Sequence, residues 1–150
     1  MKTDARFAHA WDEIRAGNLD EAERIFEEAT LAEPLVADSW NGLGAVRFER
    51  GDLEASQKCY EKALAAAKTA CGGTLPKRLY WNDDGKPTLR AIHGLGLNYF
   101  RSGKFAEARE KFDLLLKLNP DDNQGAGMIL RDIARKADLW KKDNSDGSPA

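Results

Sequence analysis

The sequence predicts an all-α protein built of stacked, antiparallel helix pairs, and three observations predict this fold class. A glycine-containing turn motif recurs along the chain. Apolar and small residues recur at steps of three and four on both sides of each turn, which places them on one face of a helix. Large and small landmark residues also keep the same phase in each copy. About seven helices are therefore expected, each burying its apolar face on its neighbours.

The turn motif occurs three times in closely similar form. Residues 17–22 read Gly-Asn-Leu-Asp-Glu-Ala, and residues 51–56 read Gly-Asp-Leu-Glu-Ala-Ser, at an offset of 34 residues. The third copy, Gly-Lys-Phe-Ala-Glu-Ala at residues 103–108, begins 52 residues after the second, which is one period of 34 residues plus 18 more. An insertion therefore separates the second copy from the third.

Other landmarks keep step with the turn. Phe26, Tyr60 and Phe112 share one phase after the turn, and Gly44 and Gly96 share one phase before it. A glycine inside a helix costs about 1 kcal/mol relative to alanine, so its recurrence indicates a packing requirement. We expect the small residues to let two helices approach closely and to accept the large residues opposite.

The second copy carries the motif that names the resemblance. A 34-residue period with Trp40-x-x-Leu43-Gly44, Gly51-Asp52, Ser56-x-x-x-Tyr60 and Ala63 resembles the tetratricopeptide repeat. This resemblance implies a right-handed α-α superhelix in one domain, residues 1–142. Its parts are repeats at residues 3–36, 37–70 and 89–122, an insertion loop at 71–88 and a capping helix at 123–142, followed by a flexible polar tail at 143–150. The insertion and the segments that follow it also resemble bacterial tetratricopeptide-like proteins of undefined function, which transfer no activity.

Composition excludes several classes of function. A net charge of −2 without a polybasic segment argues against nucleic-acid binding. The apolar stretches are far shorter than the roughly 18 residues of a membrane span, and the amino terminus has no signal-peptide core, so a cytoplasmic location is expected. Cys59 and Cys71 are expected to be reduced thiols, with Cys59 packed in a helix and Cys71 exposed. No metal or cofactor is expected, because no ligand spacing is present.

The insertion contains glycines, two prolines and an Asn-Asp-Asp-Gly turn signal, so it is predicted to be a loop. Leu79, Tyr80 and Trp81 form too apolar a cluster for free disorder, and we expect them to pack back onto the helices. Asp83 and Asp84 could offer oxygen ligands to calcium, but the alternating ligands and the closing glutamate of a calcium loop are absent. The turn interpretation is therefore favoured.

The resemblance implies a concave surface, lined by the first helix of each repeat, on which such proteins bind an extended peptide or a helix. Transferred by position, the expected partner-binding residues are Phe7, Trp11, Arg15, Asn41, Phe48, Glu49, Arg90, His93, Leu97, Phe100, Arg101 and Arg131. Aromatic anchors mixed with a few polar groups are typical of a peptide groove, and the arginines would suit an acidic or C-terminal peptide. The alternative is that Phe7, Trp11 and Phe48 are ordinary packing residues, partly covered by the insertion.

Chaperone-binding members of the family grip a terminal carboxylate with five lysine, asparagine and arginine residues. The matching positions here are Phe7, Trp11, Gly42, Arg90 and Gly94. Only Arg90 could serve, so this mode of binding is not expected.

The sequence also bears on self-association and on catalysis. A homodimer through Trp11, Trp81 or Trp140 is the alternative to a groove for a foreign peptide. Catalysis is not expected: His93 could act as a general base, but no serine or cysteine falls one or two turns away on the same helix face.

Overall fold

The computed structural model describes residues 5–143, apart from the side chain of Trp140. Within this range the chain forms seven helices and no strand, so the all-α prediction is confirmed. The helices are α1 (Ala5–Ala16), α2 (Leu19–Ala32), α3 (Ala37–Glu49), α4 (Leu53–Ala70), α5 (Lys86–Arg101), α6 (Phe105–Leu118) and α7 (Ala126–Asp143). Residues 3 and 4 of the expected first repeat lie outside the described residues, as does the expected tail beyond Asp143, which ends α7.

Consecutive helices pair across the three predicted turns. Gly17, Gly51 and Gly103 have φ angles of 86°, 81° and 75°, a region that glycine enters without a steric penalty. Each of their amides donates to the carbonyl three residues earlier and so closes the end of the preceding helix. The first helices of successive pairs also contact one another, α1 with α3 and α3 with α5. These helices therefore line one side of the stack, and α7 adjoins it through the contact of Lys136 with the ring of Phe100 on α5. We call the side formed by α1, α3, α5 and α7 the inner surface.

The first and second helix pairs pack together around Phe26 of α2, which is fully buried. The ring of Phe7 lies 5.4 Å from it and the ring of Trp11 lies 5.5 Å from it, measured between centroids. A Cβ atom added to Gly42 would lie 2.2 Å from the Phe26 ring. The glycine on α3 therefore makes room for the ring on α2, a close approach in addition to those predicted at Gly44 and Gly96.

The second and third helix pairs pack together around Tyr60 of α4. Its ring packs against Gly94 of α5, where an added Cβ atom would lie 2.4 Å away, and against Gly44 of α3, where the distance would be 3.0 Å. Burial raises the pKa of the Tyr60 phenol, so the ring stays uncharged. Beside it, the Ser56 hydroxyl donates to the Gly44 carbonyl at 2.7 Å, and the Asn98 side-chain amide donates to the Ser56 oxygen at 3.0 Å. Close packing and buried hydrogen bonds thus hold α3, α4 and α5 together.

The insertion is shorter as a loop than predicted, because α5 already begins at Lys86 rather than after residue 88. The two prolines favour a loop, but Pro87 lies in the first turn of α5, where a missing N–H costs nothing. Leu79 is buried, and its amide donates to the Leu118 carbonyl at 2.7 Å. Trp81 packs partly against the core, whereas Tyr80 is 56% exposed, so the expected packing holds for two of the three apolar residues.

The end of the stack is closed by α7, which packs on α6 and contributes the buried Ile133 to the core around Phe112. The helix begins at Ala126 rather than at residue 123. Asp122 has a φ of 52° and turns its carboxylate back to accept hydrogen bonds from the amides of Ala126 and Gly127. It therefore caps α7, whose first amides would otherwise lack partners.

The two thiols lie where they were predicted. Both cysteines are free; Cys59 is buried in α4 and Cys71 is exposed at the end of that helix. Burial raises the pKa of the Cys59 thiol, which keeps it protonated and unreactive.

Candidate partner-binding groove

The structure divides the twelve predicted partner-binding residues into three groups by exposure. Phe7 is 5% exposed and Asn41 is fully buried, so neither can touch a partner in this conformation. Partly exposed on the inner-surface helices are Trp11, Phe48, Arg90, His93, Leu97 and Phe100. Exposed are Arg15, Glu49, Arg101 and Arg131. Phe7 and Asn41 are therefore not surface residues of the groove, contrary to the prediction. Position within the repeat cannot distinguish a residue on the surface from one packed directly behind it.

Arg90 on α5 joins four segments of the chain. Its guanidinium lies 3.1 Å from a carboxylate oxygen of Asp38 on α3, and the two side chains are only 28% and 20% exposed. The same guanidinium lies 5.2 Å from the ring of Trp11 on α1 and 5.7 Å from the ring of Trp81 in the insertion. Its charge is thus neutralised and its faces are taken by aromatic rings. Arg90 therefore acts in this conformation as a structural bridge.

Asn41 holds the Asp38 carboxylate in position for Arg90 through a buried side-chain amide. Its side-chain amide donates to Asp38 at 3.0 Å and to the Pro87 carbonyl at 2.9 Å. The first bond orients the carboxylate that binds Arg90, and the second ties α3 to the first turn of α5. The sequence predicts that Asn41 contacts a partner. In the structure, Asn41 instead positions the Asp38 carboxylate and the first turn of α5.

The opposite end of the inner surface carries cations on aromatic rings without a matching acid. The guanidinium of Arg101 lies 5.0 Å from the ring of Phe48, and the ammonium of Lys136 on α7 lies 5.1 Å from the ring of Phe100. Phe100 in turn meets Phe105 edge-on, with 5.8 Å between ring centroids. We call Phe48, Phe100, Arg101 and Lys136 the basic aromatic patch. Lys136 and Phe105 were not among the predicted residues.

Part of this geometry was readable from the repeat register. Asp38 and Arg90 are 52 residues apart, which is one period plus the insertion, so they hold equivalent positions on neighbouring first helices. Opposite charges at equivalent positions in adjacent repeats can lie close enough to pair, but this register does not decide which of them do, because Glu49 and Arg101 share the same offset and form no ion pair. The same offset relates Phe48 to Phe100, which explains why their rings follow one another along the groove. Lys136 has no such signal, because α7 carries no copy of the turn motif.

His93 lies midway along α5, where its side chain is partly buried. Burial lowers the pKa of its imidazole, although the nearby Asp122 opposes this shift. Its ring meets the edge of Phe112 at 5.7 Å, as expected of a packing residue. Among residues 5–143, no group of three histidine, cysteine or acidic side chains is arranged to hold a metal ion. In the same range, none of the helices combines the length and apolar character needed to cross a bilayer.

Comparison with known proteins decides the family. Residues 7–71 match one model of the tetratricopeptide repeat, and residues 90–122 match another. Together the two stretches cover more than half of the chain. The chain belongs to the tetratricopeptide-repeat family. The resemblance stated from Trp40-x-x-Leu43-Gly44 and the motifs that follow it is therefore confirmed, and the repeats make the chain a protein-interaction module.

Individual relatives support the fold without naming a partner. Tetratricopeptide repeat protein 5 of Bos taurus is 36% identical over 47 residues, which are 31% of this chain and 11% of that protein. Cellulose synthase 1 operon protein C of Komagataeibacter xylinus is 25% identical over 131 residues, which are 83% of this chain and 9% of that protein. The chain thus spans about a tenth of the length of these curated relatives.

A solved structure extends the likeness to most of the chain. The type III secretion translocator chaperone SycD of Yersinia enterocolitica superposes with a TM-score of 0.66 at 16% identity, covering 88% of this chain and 83% of that one. At this identity the likeness shows a shared fold. The tetratricopeptide-repeat solenoid predicted from the sequence is accordingly confirmed.

Because Arg90 connects the third repeat with the first two repeats and with the insertion, replacing it should lower the stability of the tetratricopeptide-repeat fold. Arg90→Ala is expected to lower the free energy of unfolding by about 1.5 kcal/mol, since two cation–π contacts and a partly buried ion pair are lost. Urea denaturation followed by circular dichroism measures this change. The control is Arg15→Ala, which removes one exposed pair with Asp12 and should change stability by less than about 0.5 kcal/mol. Equal losses in the two variants would contradict the bridging role.

Proposed function

We propose that the inner surface holds an extended peptide or a helix of a partner protein, and that the chain itself catalyses no reaction. The observation that carries this proposal is a row of partly exposed aromatic rings on successive first helices: Trp11 on α1, Phe48 on α3 and Phe100 on α5. Partly exposed rings held rigidly by neighbouring helices are typical anchors for a bound peptide, because binding them costs little side-chain entropy. Leu97 of α5 is also partly exposed and adds an apolar side chain about one helical turn before Phe100.

Binding of a terminal carboxylate through the five family positions has little support. Gly42 and Gly94 occupy two of those positions, and their Cα atoms lie against the rings of Phe26 and Tyr60, so no polar side chain could be accommodated there. Arg90, the remaining candidate, already pairs with Asp38. The proposed groove therefore differs in its chemistry from that of the chaperone-binding members.

The proposal is tested with random peptides displayed on phage and selected on the wild-type protein. Selected peptides should lose at least about tenfold in affinity for the Phe48→Ala/Leu97→Ala variant, because about 1.4 kcal/mol of apolar contact corresponds to a factor of ten. The matched control is Leu31→Ala/Leu35→Ala, which removes two exposed apolar side chains from the α2–α3 edge. Circular dichroism verifies that both variants remain helical. If no selected peptide distinguishes the two variants, the groove is not the binding surface.

Self-association through tryptophans is the alternative, and it has weaker support. Trp81 contacts the Arg90 guanidinium and is only partly exposed, which leaves less of its ring for a second copy, and Trp11 lies within the proposed groove itself. The side chain of Trp140 lies outside the described residues. Light scattering over a range of protein concentrations separates the two functions, because a homodimer through these rings dissociates on dilution.

A further inference from the structure

The cations of the inner surface differ in whether they already have acidic partners. Arg90 pairs with Asp38, and Arg15 pairs with Asp12 on its own helix. By contrast, neither Arg101 nor Lys136 forms an ion pair with any carboxylate in residues 5–143. Arg101 and Lys136 therefore lie on the groove without an ion pair, near the carboxyl ends of α3 and α5 and away from Arg90. Lys86, whose ammonium lies 5.5 Å from the Trp81 ring, also forms no ion pair with a carboxylate in residues 5–143.

The stacked geometry leaves these cations able to bind an anion. A guanidinium that rests a face on an aromatic ring keeps its N–H groups directed along its edges, where they can bond a carboxylate. Arg101 is exposed above Phe48, and Lys136 is exposed above Phe100. Stacking also restricts both side chains, which lowers the entropy lost when an anion binds.

Charge over the wider region points the same way. Residues 86–143 contain twelve lysines and arginines against eight acidic residues, whereas residues 5–33 contain three against eight. The field near the basic aromatic patch therefore favours the approach of an acidic segment. Glu49 is the local exception: it is exposed on α3 at the position equivalent to Arg101, yet it forms no ion pair with it.

We propose that the basic aromatic patch receives an acidic segment of the partner in which an apolar side chain is flanked by carboxylates. The carboxylates pair with Arg101 and Lys136, and the apolar side chain rests against Phe48, Leu97 and Phe100. This inference rests on the proposed function and names the chemistry of the partner for the same groove. It predicts that Arg90 contributes to the stability of the fold, and that Arg101 and Lys136 contribute to the selectivity of the groove for acidic over neutral peptides.

The test uses the displayed random peptides described above and then one enriched peptide in two forms. Selection is expected to enrich aspartate and glutamate next to aliphatic or aromatic residues. The enriched peptide and a counterpart with every acid replaced by its amide are labelled, and their binding is followed by fluorescence anisotropy. The acidic form should bind at least about tenfold more tightly, and its affinity should fall as salt is raised, since exposed ion pairs are screened.

Matched variants assign the effect to the patch. Arg101→Gln/Lys136→Gln is expected to weaken the acidic peptide by about tenfold and to leave the amide peptide unchanged. The control Arg109→Gln/Lys117→Gln removes the same charge from exposed positions on α6 and should change affinity less than about twofold. Glu49→Gln should strengthen binding of the acidic form, because a like charge is removed.

Three results would overturn the inference. If selected peptides depend on Phe48 and Leu97 but contain no excess of acidic residues, the groove binds peptides without the proposed preference for acidic segments. Equal affinity of the acidic and amide forms would also contradict the preference for acidic segments. An equal loss of affinity in the α6 control would assign the effect to net charge instead of the patch. If no selected peptide depends on Phe48 and Leu97, the proposed function itself fails.

Discussion

Replacing Phe26 with alanine is expected to lower the free energy of unfolding by about 4 kcal/mol, the largest effect of any substitution considered for this protein. The ring is fully buried between α1, α2 and α3, under Gly42 and against Phe7 and Trp11. Neighbouring helices cannot collapse into the space, because each is held by its own turn and by the next pair. Chemical denaturation monitored by circular dichroism measures the loss.

The location of the loss tests the solenoid argument. In a solenoid each repeat is stabilised by its neighbours, so removing the ring should loosen α1 and α2 more than α5 to α7. Hydrogen exchange resolved by peptide should therefore accelerate mainly in residues 5–33. Leu31→Ala on the same helix is the control: the side chain is 86% exposed, and its removal should change stability by less than about 0.5 kcal/mol. A uniform rise in exchange along the chain would contradict repeat-by-repeat packing.

Because Phe26 holds Trp11 in place, the same variant should also weaken partner binding. Phe26 itself is fully buried and cannot touch a peptide. Any loss of affinity would therefore come from movement of α1, which contributes Trp11 to the proposed groove.

Replacing Gly94 with alanine is expected to lower the free energy of unfolding by about 2 kcal/mol. Alanine is favoured over glycine inside a helix by about 1 kcal/mol, so an exposed site would gain stability. Here the new methyl group would lie 2.4 Å from the Tyr60 ring, and the overpacking costs about 3 kcal/mol because α4 and α5 must separate. Thermal denaturation should show a correspondingly lower midpoint.

A double-mutant cycle isolates the contact. In a Tyr60→Leu background the ring is gone, so Gly94→Ala should cost little or even stabilise the helix. If Gly94→Ala destabilised the protein equally in both backgrounds, the ring would not be the reason for the glycine.

Much of the fold was predictable from the sequence, because the signals are local. The three turn glycines have the positive φ that their spacing implied, and the helix pairs follow from apolar residues at steps of three and four. The recurring pairs Gly44 with Tyr60 and Gly96 with Phe112 indicated where helices approach closely, and the structure places each ring against its glycine. The start of α5 was mispredicted because Pro87 is compatible with both a loop and a first helical turn.

The candidate site was predictable only in outline. Position within the repeat identified which helices line the groove, but it could not separate Arg90 from Arg101 by role. That difference depends on Asp38, which lies 52 residues from Arg90 in sequence, and on Trp81, which reaches Arg90 only because the insertion folds back. Lys136 reaches Phe100 because α7 packs across the end of the stack, and no repeat motif indicates that contact.

The sequence by itself determined the helix pairs and the turns within them, because helical periodicity and the steric needs of glycine act within a few residues or recur at a fixed period. Only the tertiary structure decided which cations of the inner surface are neutralised and which remain free. The physical reason is that an ion pair or a stacked ring depends on distances between residues far apart in the chain, and those distances exist only once the repeats have packed.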